Sequence, residues 1–154
     1  MRLLTLVSIL IVLFACTAKA PDMNESQRTD LLSQIEANMD ELKNAAEEMS
    51  TSGLKKYLAP GNQRNFMMAG IAFNKDELIA AIDAEYAGYS TQTLTVLEHS
   101  TKILSSEAVI WYGVIAASGI DKAGIEESLH YTDTWLWEKS GDSWQVSHMH
   151  ESWE

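Results

Sequence analysis

The side chains able to do chemistry crowd towards the C-terminal end of the chain. His148, His150 and Glu151 lie almost side by side, and His130, Tyr131, Asp133, Trp135 and Trp137 precede them in a segment of alternating polarity. A carboxylate such as Glu151, once turned into a hollow interior, has its pKa raised by burial and can serve as a general base; turned outward, it is a solvated surface charge. His148 and His150 share one strand face and could hold a metal only if a third His or carboxylate converged on them. No spacing in the chain supplies one, so hydrogen bonding is the use the pattern supports, and no metal or cofactor is assigned. Asp133 and His130 alternate onto opposite faces, which argues against a dyad. Trp135 and Trp137 share a face, either as a stacking platform for a flat ligand or, as aromatic pairs on sheets more often are, as core or subunit interface.

Other chemistries have no carrier. The sequence holds no G-x-S-x-G, no G-x-x-x-x-G-K-[ST], no G-x-G-x-x-G and no cysteine besides Cys16, which removes elbow hydrolases, phosphate loops, dinucleotide binding and thiol catalysis. Steroid-isomerase chemistry needs a carboxylate base opposite a Tyr and a protonated acid; Tyr57, Tyr86, Tyr89 and Asp83 are present, but no motif joins them. A net charge of -11 on 154 residues denies the chain the basic footprint of a nucleic-acid binder. With 46% hydrophobic residues and a single Cys, the composition is that of one ordinary globular domain.

Positioning those side chains falls to helices followed by strands. Leu32, Ile35, Met39, Leu42, Ala46 and Met49 recur at alternating steps of three and four, which predicts a first amphipathic helix. Thr51-Ser52-Gly53 stops it, residues 54–58 allow one further turn, and Pro60-Gly61 forces a change of direction. Residues 65–73 read as irregular. Asn74 with Glu77 forms a capping box for a second long helix that carries Leu78, Ile79, Ile82 and Tyr86 and ends at Gly88. Beyond Gly88 the period falls to two, predicting antiparallel strands over residues 91–104, 107–117, 128–139 and 144–153, with turns at 105–106, 118–124 and 140–143. Helices preceding a meander imply an α+β layer. Alternation puts Val109, Trp111, Gly113 and Ile115 on one face. On the last strand it puts Met149, Glu151 and Trp153 on one face and Trp144, Val146, His148 and His150 on the other.

The N-terminus reads as an address. Arg2 is followed by an apolar run over residues 3–15 that falls short of the roughly 20 residues a bilayer span needs. Leu13-Phe14-Ala15-Cys16 resembles the bacterial lipoprotein box, a resemblance that implies lipidation of Cys16 as the new N-terminus, export, and anchoring to the cell envelope. Thr17 in place of Asp then implies the periplasmic side of the outer membrane if the host is Gram-negative. A lone Cys in a secreted chain needs a modification or an intermolecular partner, and the alternative is an ordinary cleaved signal whose Cys is incidental. The organisation is therefore a signal at 1–15, a polar tether at 16–27 and a domain at 28–154. Asn24-Glu25-Ser26 fits a glycosylation acceptor by chance only, since the lipoprotein signal implies bacteria.

The run Trp144-Gln145-Val146-Ser147-His148-Met149-His150-Glu151-Ser152 resembles the last strand of the nuclear transport factor 2-like superfamily. It is most similar to the hub (association) domain of calcium/calmodulin-dependent kinase and SnoaL-like relatives, and Thr95-Val96-Leu97, Ser106-Glu107-Ala108 and Phe73 fall in the same order. The resemblance implies a cone-shaped α+β fold in which N-terminal helices pack on a strongly curved, four-to-six-stranded antiparallel sheet around a pocket. Where the hub lines its cavity with Arg, this chain has Ile115, Glu151 and Trp135, and the pocket His is Asn74. The implied ligand set is Phe73, Asn74, Trp111, Ile115, Trp135 and Glu151, and the implied ligand is a small, largely apolar molecule rather than an anion. An isomerase, dehydratase or cyclase working through Glu151 or a His, and an assembly module, are the alternatives; relatives dimerise through the sheet, and Trp137 as an exposed aromatic would suit such a contact.

Overall fold

The computed structural model describes residues 23–153. Cys16, the signal at 1–15 and most of the tether lie outside the described residues. Helix α1 (Glu25–Glu47) begins inside the segment assigned to the tether. The cause is a complete capping box: Asn24 Oδ1 accepts from the Gln27 N–H and Gln27 Oε1 accepts from the Asn24 N–H, both at 2.9 Å. The helix buries Leu31, Ile35, Leu42 and Ala45. Its buried face is rotated slightly from the sequence stripe, and Met49 falls beyond the helix end at a φ of 52°. Helix α2 (Thr51–Tyr57) folds back onto α1 through Gly53, where an added Cβ would meet Ala45 Cβ at 2.6 Å.

Residues 65–73 are not irregular. They form a hairpin of β1 (Phe66–Met68) and β2 (Ile71–Phe73), and β1 runs parallel to the last strand, Phe66 pairing with Met149. Strands this short show no period, and the two-residue turn between them puts Ala69 and Gly70 at positive φ, of which only the glycine advertises itself in sequence. Helix α3 (Lys75–Tyr86) follows, with Asn74 as its cap.

Four long strands complete the sheet: β3 (Tyr89–Ser105), β4 (Ala108–Asp121), β5 (Glu126–Ser140) and β6 (Ser143–Trp153). The order is β2-β1-β6-β5-β4-β3, antiparallel except for β1 against β6. Thus the fold is α+β, with the N-terminal helices packed on a curved, unclosed six-stranded sheet in the shape of a cone. The turn expected at 118–124 is shorter than predicted. Ser118 and Gly119 stay in the ladder against Thr93 and Gln92, and the chain reverses only where Asp121 Oδ1 accepts the Ala123 and Ile125 N–H groups.

Register shifts bend the sheet, because a bulge adds a residue to one strand and increases its local twist. Three lie on β3, between Tyr89 and Thr91, Val96 and Glu98, and Ile103 and Ser105. Another lies on β6, where the pairing jumps from Leu136 with His148 to Trp137 with Val146 and leaves Ser147 out of register. The bulge on β6 corrects the face assignment of the last strand. Trp144 and Val146 do not share a face with His148 and His150; they point inward with Met149, and His148 and His150 are exposed.

The core lies between α1, α2 and the concave face of the sheet. Ile35, Leu78, Val109, Trp111, Trp137 and Val146 are its most completely buried side chains. Trp137, expected in the core or, as an exposed aromatic, in a subunit interface, is in the core: it is 0% exposed and packs edge-on to Tyr57 with ring centroids 5.8 Å apart. It belongs to the interior because its strand faces the helices rather than a second subunit.

Candidate functional site

Strand alternation and cross-strand register together build the site. On the concave face three rungs lie in succession: Trp111–Trp135–Met149, then Gly113–Asp133–Glu151, then Ile115–Tyr131–Trp153. Every second residue of β4, β5 and β6 therefore points at the same space. Helix α1 closes it with Met39 and Leu42, and α3 with Ile82 and Tyr86. The result is a half-open cavity of about 350 Å³. Gly113 is part of its shape, since a Cβ there would come within 2.6 Å of Trp111 Cη2 and 2.9 Å of the Glu98 carbonyl. The missing side chain lets the Trp111 indole lie across the strand and leaves the space beside Asp133 open.

Asp133 is the most unusual member. It is 3% exposed, and its Oδ1 has no hydrogen-bond partner among the described residues; the same holds for the indole N–H of Trp111 and of Trp135. Burial pushes the Asp133 carboxyl well above the ordinary range, and the Glu151 carboxylate on the neighbouring strand pushes it further, while the Trp135 indole N–H, near the carboxyl but outside hydrogen-bond geometry, works in the opposite direction. Burial also raises Glu151, against the donor effect of the Trp153 indole N–H that it accepts, with Glu85 of α3 adding to the rise. Glu85 is itself raised by burial at the rim. The phenols follow the same cause: burial pushes Tyr86 up to about 12 and raises Tyr131 too.

Cations do not offset these acids. Lys43 and His99 are the basic residues of the lining, and each already has a carboxylate: Lys43 Nζ lies 2.8 Å from Glu47, and His99 Nε2 lies 3.2 Å from Glu36 while its ring stacks on Trp111 at 5.7 Å. Among the described residues none of the side-chain hydrogen bonds joins a Tyr or His to Asp133 or Glu151. Chemically, the floor offers two adjacent carboxyls, Asp133 buried and Glu151 half-buried, set in an aromatic wall.

Of the residues singled out from sequence, the structure brings Trp111, Ile115, Trp135 and Glu151 together in the lining. It does not bring Phe73 or Asn74 there. Phe73 packs against the core from β2. Asn74 Oδ1 accepts the Glu77 N–H at 2.9 Å, so its side chain is occupied in capping α3. Sequence reasoning missed Asp133 and Tyr131, although both share the period-two face of Trp135; Asp133 was tested only as a partner for His130, which is exposed on the other face. His148 and His150 also face outward, His150 Nε2 lying 3.3 Å from Ser152 Oγ, and among the described residues no cluster of three or more His, Cys, Asp or Glu could hold a metal.

Comparison with known proteins adds a family. Residues 61–154 match the family model described as calcium/calmodulin dependent protein kinase II association domain. No curated protein matches the chain significantly. Similar solved structures include a nuclear transport factor 2 (NTF2-like) superfamily protein from Salmonella enterica, 11% identical with a TM-score of 0.75 over 82% of this chain and 92% of that one. The hexachlorocyclohexane dehydrochlorinase LinA-type3 from Novosphingobium barchaimii is 10% identical, with a TM-score of 0.69 over 85% of this chain and 91% of that one. A protein with a cystatin-like fold from Caulobacter vibrioides is 12% identical, with a TM-score of 0.68 over 81% and 90%. At such identities the likeness establishes the fold.

Proposed function

The chain belongs to the calcium/calmodulin dependent protein kinase II association domain family, and from that premise we propose that its cone holds one small, largely apolar ligand. The observation that supports this reading is the cavity of about 350 Å³, walled by aromatic and aliphatic side chains around a buried, unpartnered Asp133. That size lies within the range of small-molecule sites, as does the pattern of a mostly apolar wall with a few convergent polar groups. Ile115, Trp135 and Glu151 occupy the positions that the resemblance gives to Arg, so an anion finds no partner there. Thermal-shift and tryptophan-quenching titrations with neutral apolar compounds and with carboxylates test it. Neutral compounds stabilise the protein if the reading holds, and binding by carboxylates alone overturns it. Mass spectrometry of the protein purified from its own host identifies a co-purifying ligand.

Acid–base catalysis on the same scaffold is the second reading, favoured by the placement of Asp133 directly opposite Glu151. Of two adjacent carboxyls one ionises first and can act as base, while the other keeps its proton and can act as acid. A recovered ligand that loses water or a hydrogen halide on incubation, and stops doing so in Glu151→Gln, marks an enzyme; an unchanged mass marks a binder.

We further assign the chain to the cell envelope, lipid-anchored through Cys16. Fatty-acid labelling that disappears in Cys16→Ser, together with release of the protein from membranes, is the expected result, and a soluble wild-type protein overturns it. Self-association as a homodimer is assigned to the outward face of the sheet, where Tyr112 is 50% exposed. Sedimentation equilibrium should give a dimer that Tyr112→Glu weakens, whereas a wild-type monomer at high concentration overturns the assignment.

A further inference from the structure

We propose that the polar end of the ligand is a protonated amine, seated between Asp133 and Glu151. The inference rests on the ligand-binding reading above and specifies the chemistry of the same site.

Three observations carry it. First, the floor and rim of the cavity present Asp133 from β5, Glu151 from β6 and Glu85 from α3, while the lining's own basic side chains, Lys43 and His99, are held by Glu47 and Glu36. The acids at the centre are thus left for a guest to neutralise. Second, Asp133 is 3% exposed, lines the cavity, and leaves Oδ1 without a partner among the described residues. A buried carboxyl oxygen in that condition is costly unless a donor reaches it. Gly113, its neighbour on the same rung, has no side chain to do so. Third, an ammonium carries three donors and no acceptor, enough to serve Asp133 and Glu151 together. Trp111 and Trp135 on the adjacent rung add to the preference, because aromatic faces attract cations.

Other polar ends fit less well. A hydroxyl satisfies one oxygen but leaves the second carboxylate uncompensated, and a carboxylate brings another negative charge into an acidic space. The amine also has a signature in protons. Asp133, Glu151, Glu85, Tyr86 and Tyr131 are the titratable groups of the lining raised chiefly by burial, and Glu36, Asp40, Lys43, Tyr89, His99 and Glu127 are its other titratable groups. An arriving cation favours the ionised carboxyls, so binding releases protons to solvent and tightens as pH rises.

The test titrates the full chain with 2-phenylethylamine, 2-phenylethanol and phenylacetate, which share one ring and differ in the polar end. Calorimetry gives affinities and proton release, and the indole N–H signals of Trp111 and Trp135 report where each probe sits. The amine should bind about 10-fold or more tightly than the alcohol, the difference one good charge-assisted contact supplies. Phenylacetate should be weakest. Asp133→Asn and Glu151→Gln should each bring the affinity for the amine down to that of the alcohol measured on the same variant. Glu151 is only half-buried, so Glu151→Gln carries the test if Asp133→Asn does not fold. An alcohol that binds as tightly as the amine overturns the inference but leaves the apolar-ligand reading standing. If no probe moves the indole signals, both fall together.

Discussion

Asp133→Asn should stabilise this protein, and by an amount that depends on pH. The folded protein holds the Asp133 proton more tightly than the unfolded chain does, because burial and the neighbouring Glu151 raise the carboxyl above its ordinary value of 3.8. Between that value and the folded pKa the native state binds more protons than the unfolded state, so stability falls as pH rises through the interval. Below it both states are protonated, and acid and amide are nearly equivalent in shape and in their unmet hydrogen bond. The loss at high pH is about 1.4 kcal/mol for each unit by which the folded pKa exceeds the unfolded one, and for a domain of this size each such unit corresponds to roughly 4–6 °C in Tm. Urea or thermal melts of wild type and Asp133→Asn should therefore coincide near pH 4 and separate towards pH 8, with the Asn variant the more stable. Glu151→Gln in the wild-type background should narrow the separation, since it removes one of the two causes. If Asp133→Asn instead lowers Tm at every pH, the native carboxylate is ionised and paired, and the reasoning about the cavity floor is wrong.

Three further outcomes follow from the packing. Trp137→Ala removes a side chain that is fully buried against Tyr57 and should cost about 3–5 kcal/mol in urea unfolding, with no change in oligomeric state at a permissive temperature. Gly113→Ala drives a methyl into Trp111 and the Glu98 carbonyl; it should cost about 1–3 kcal/mol and shift the tryptophan emission. Asn74→Ala loses the cap of α3 and should cost about 1 kcal/mol, while the affinity for neutral apolar probes, measured by quenching, stays at the wild-type value.

Local pattern and distant pairing contributed different things. Period 3.6 and period 2 are properties of neighbouring residues, so the helix bearing Leu78 and Ile82, the capping box at Asn74 and the strand faces of Trp111 and Ile115 were all legible in the chain. They sufficed for an α+β layer, while the cone and the four residues that line its cavity came from the resemblance to the nuclear transport factor 2-like superfamily. The hairpin of β1 and β2 was not legible, because its strands are too short to show a period and one takes its place beside β6 through pairing across most of the domain. The inward turn of Trp144 and Val146 was hidden for a related reason: the bulge at Ser147 exists only as a mismatch with β5, and alternation read along one strand cannot register it. Asp133 shows the same division. Sequence alone put it opposite His130, but whether its own face held water or a buried space depended on α1 and α3 closing over it. Burial and register are relations between segments far apart in the chain, and the acidity of the cavity floor arises from those relations.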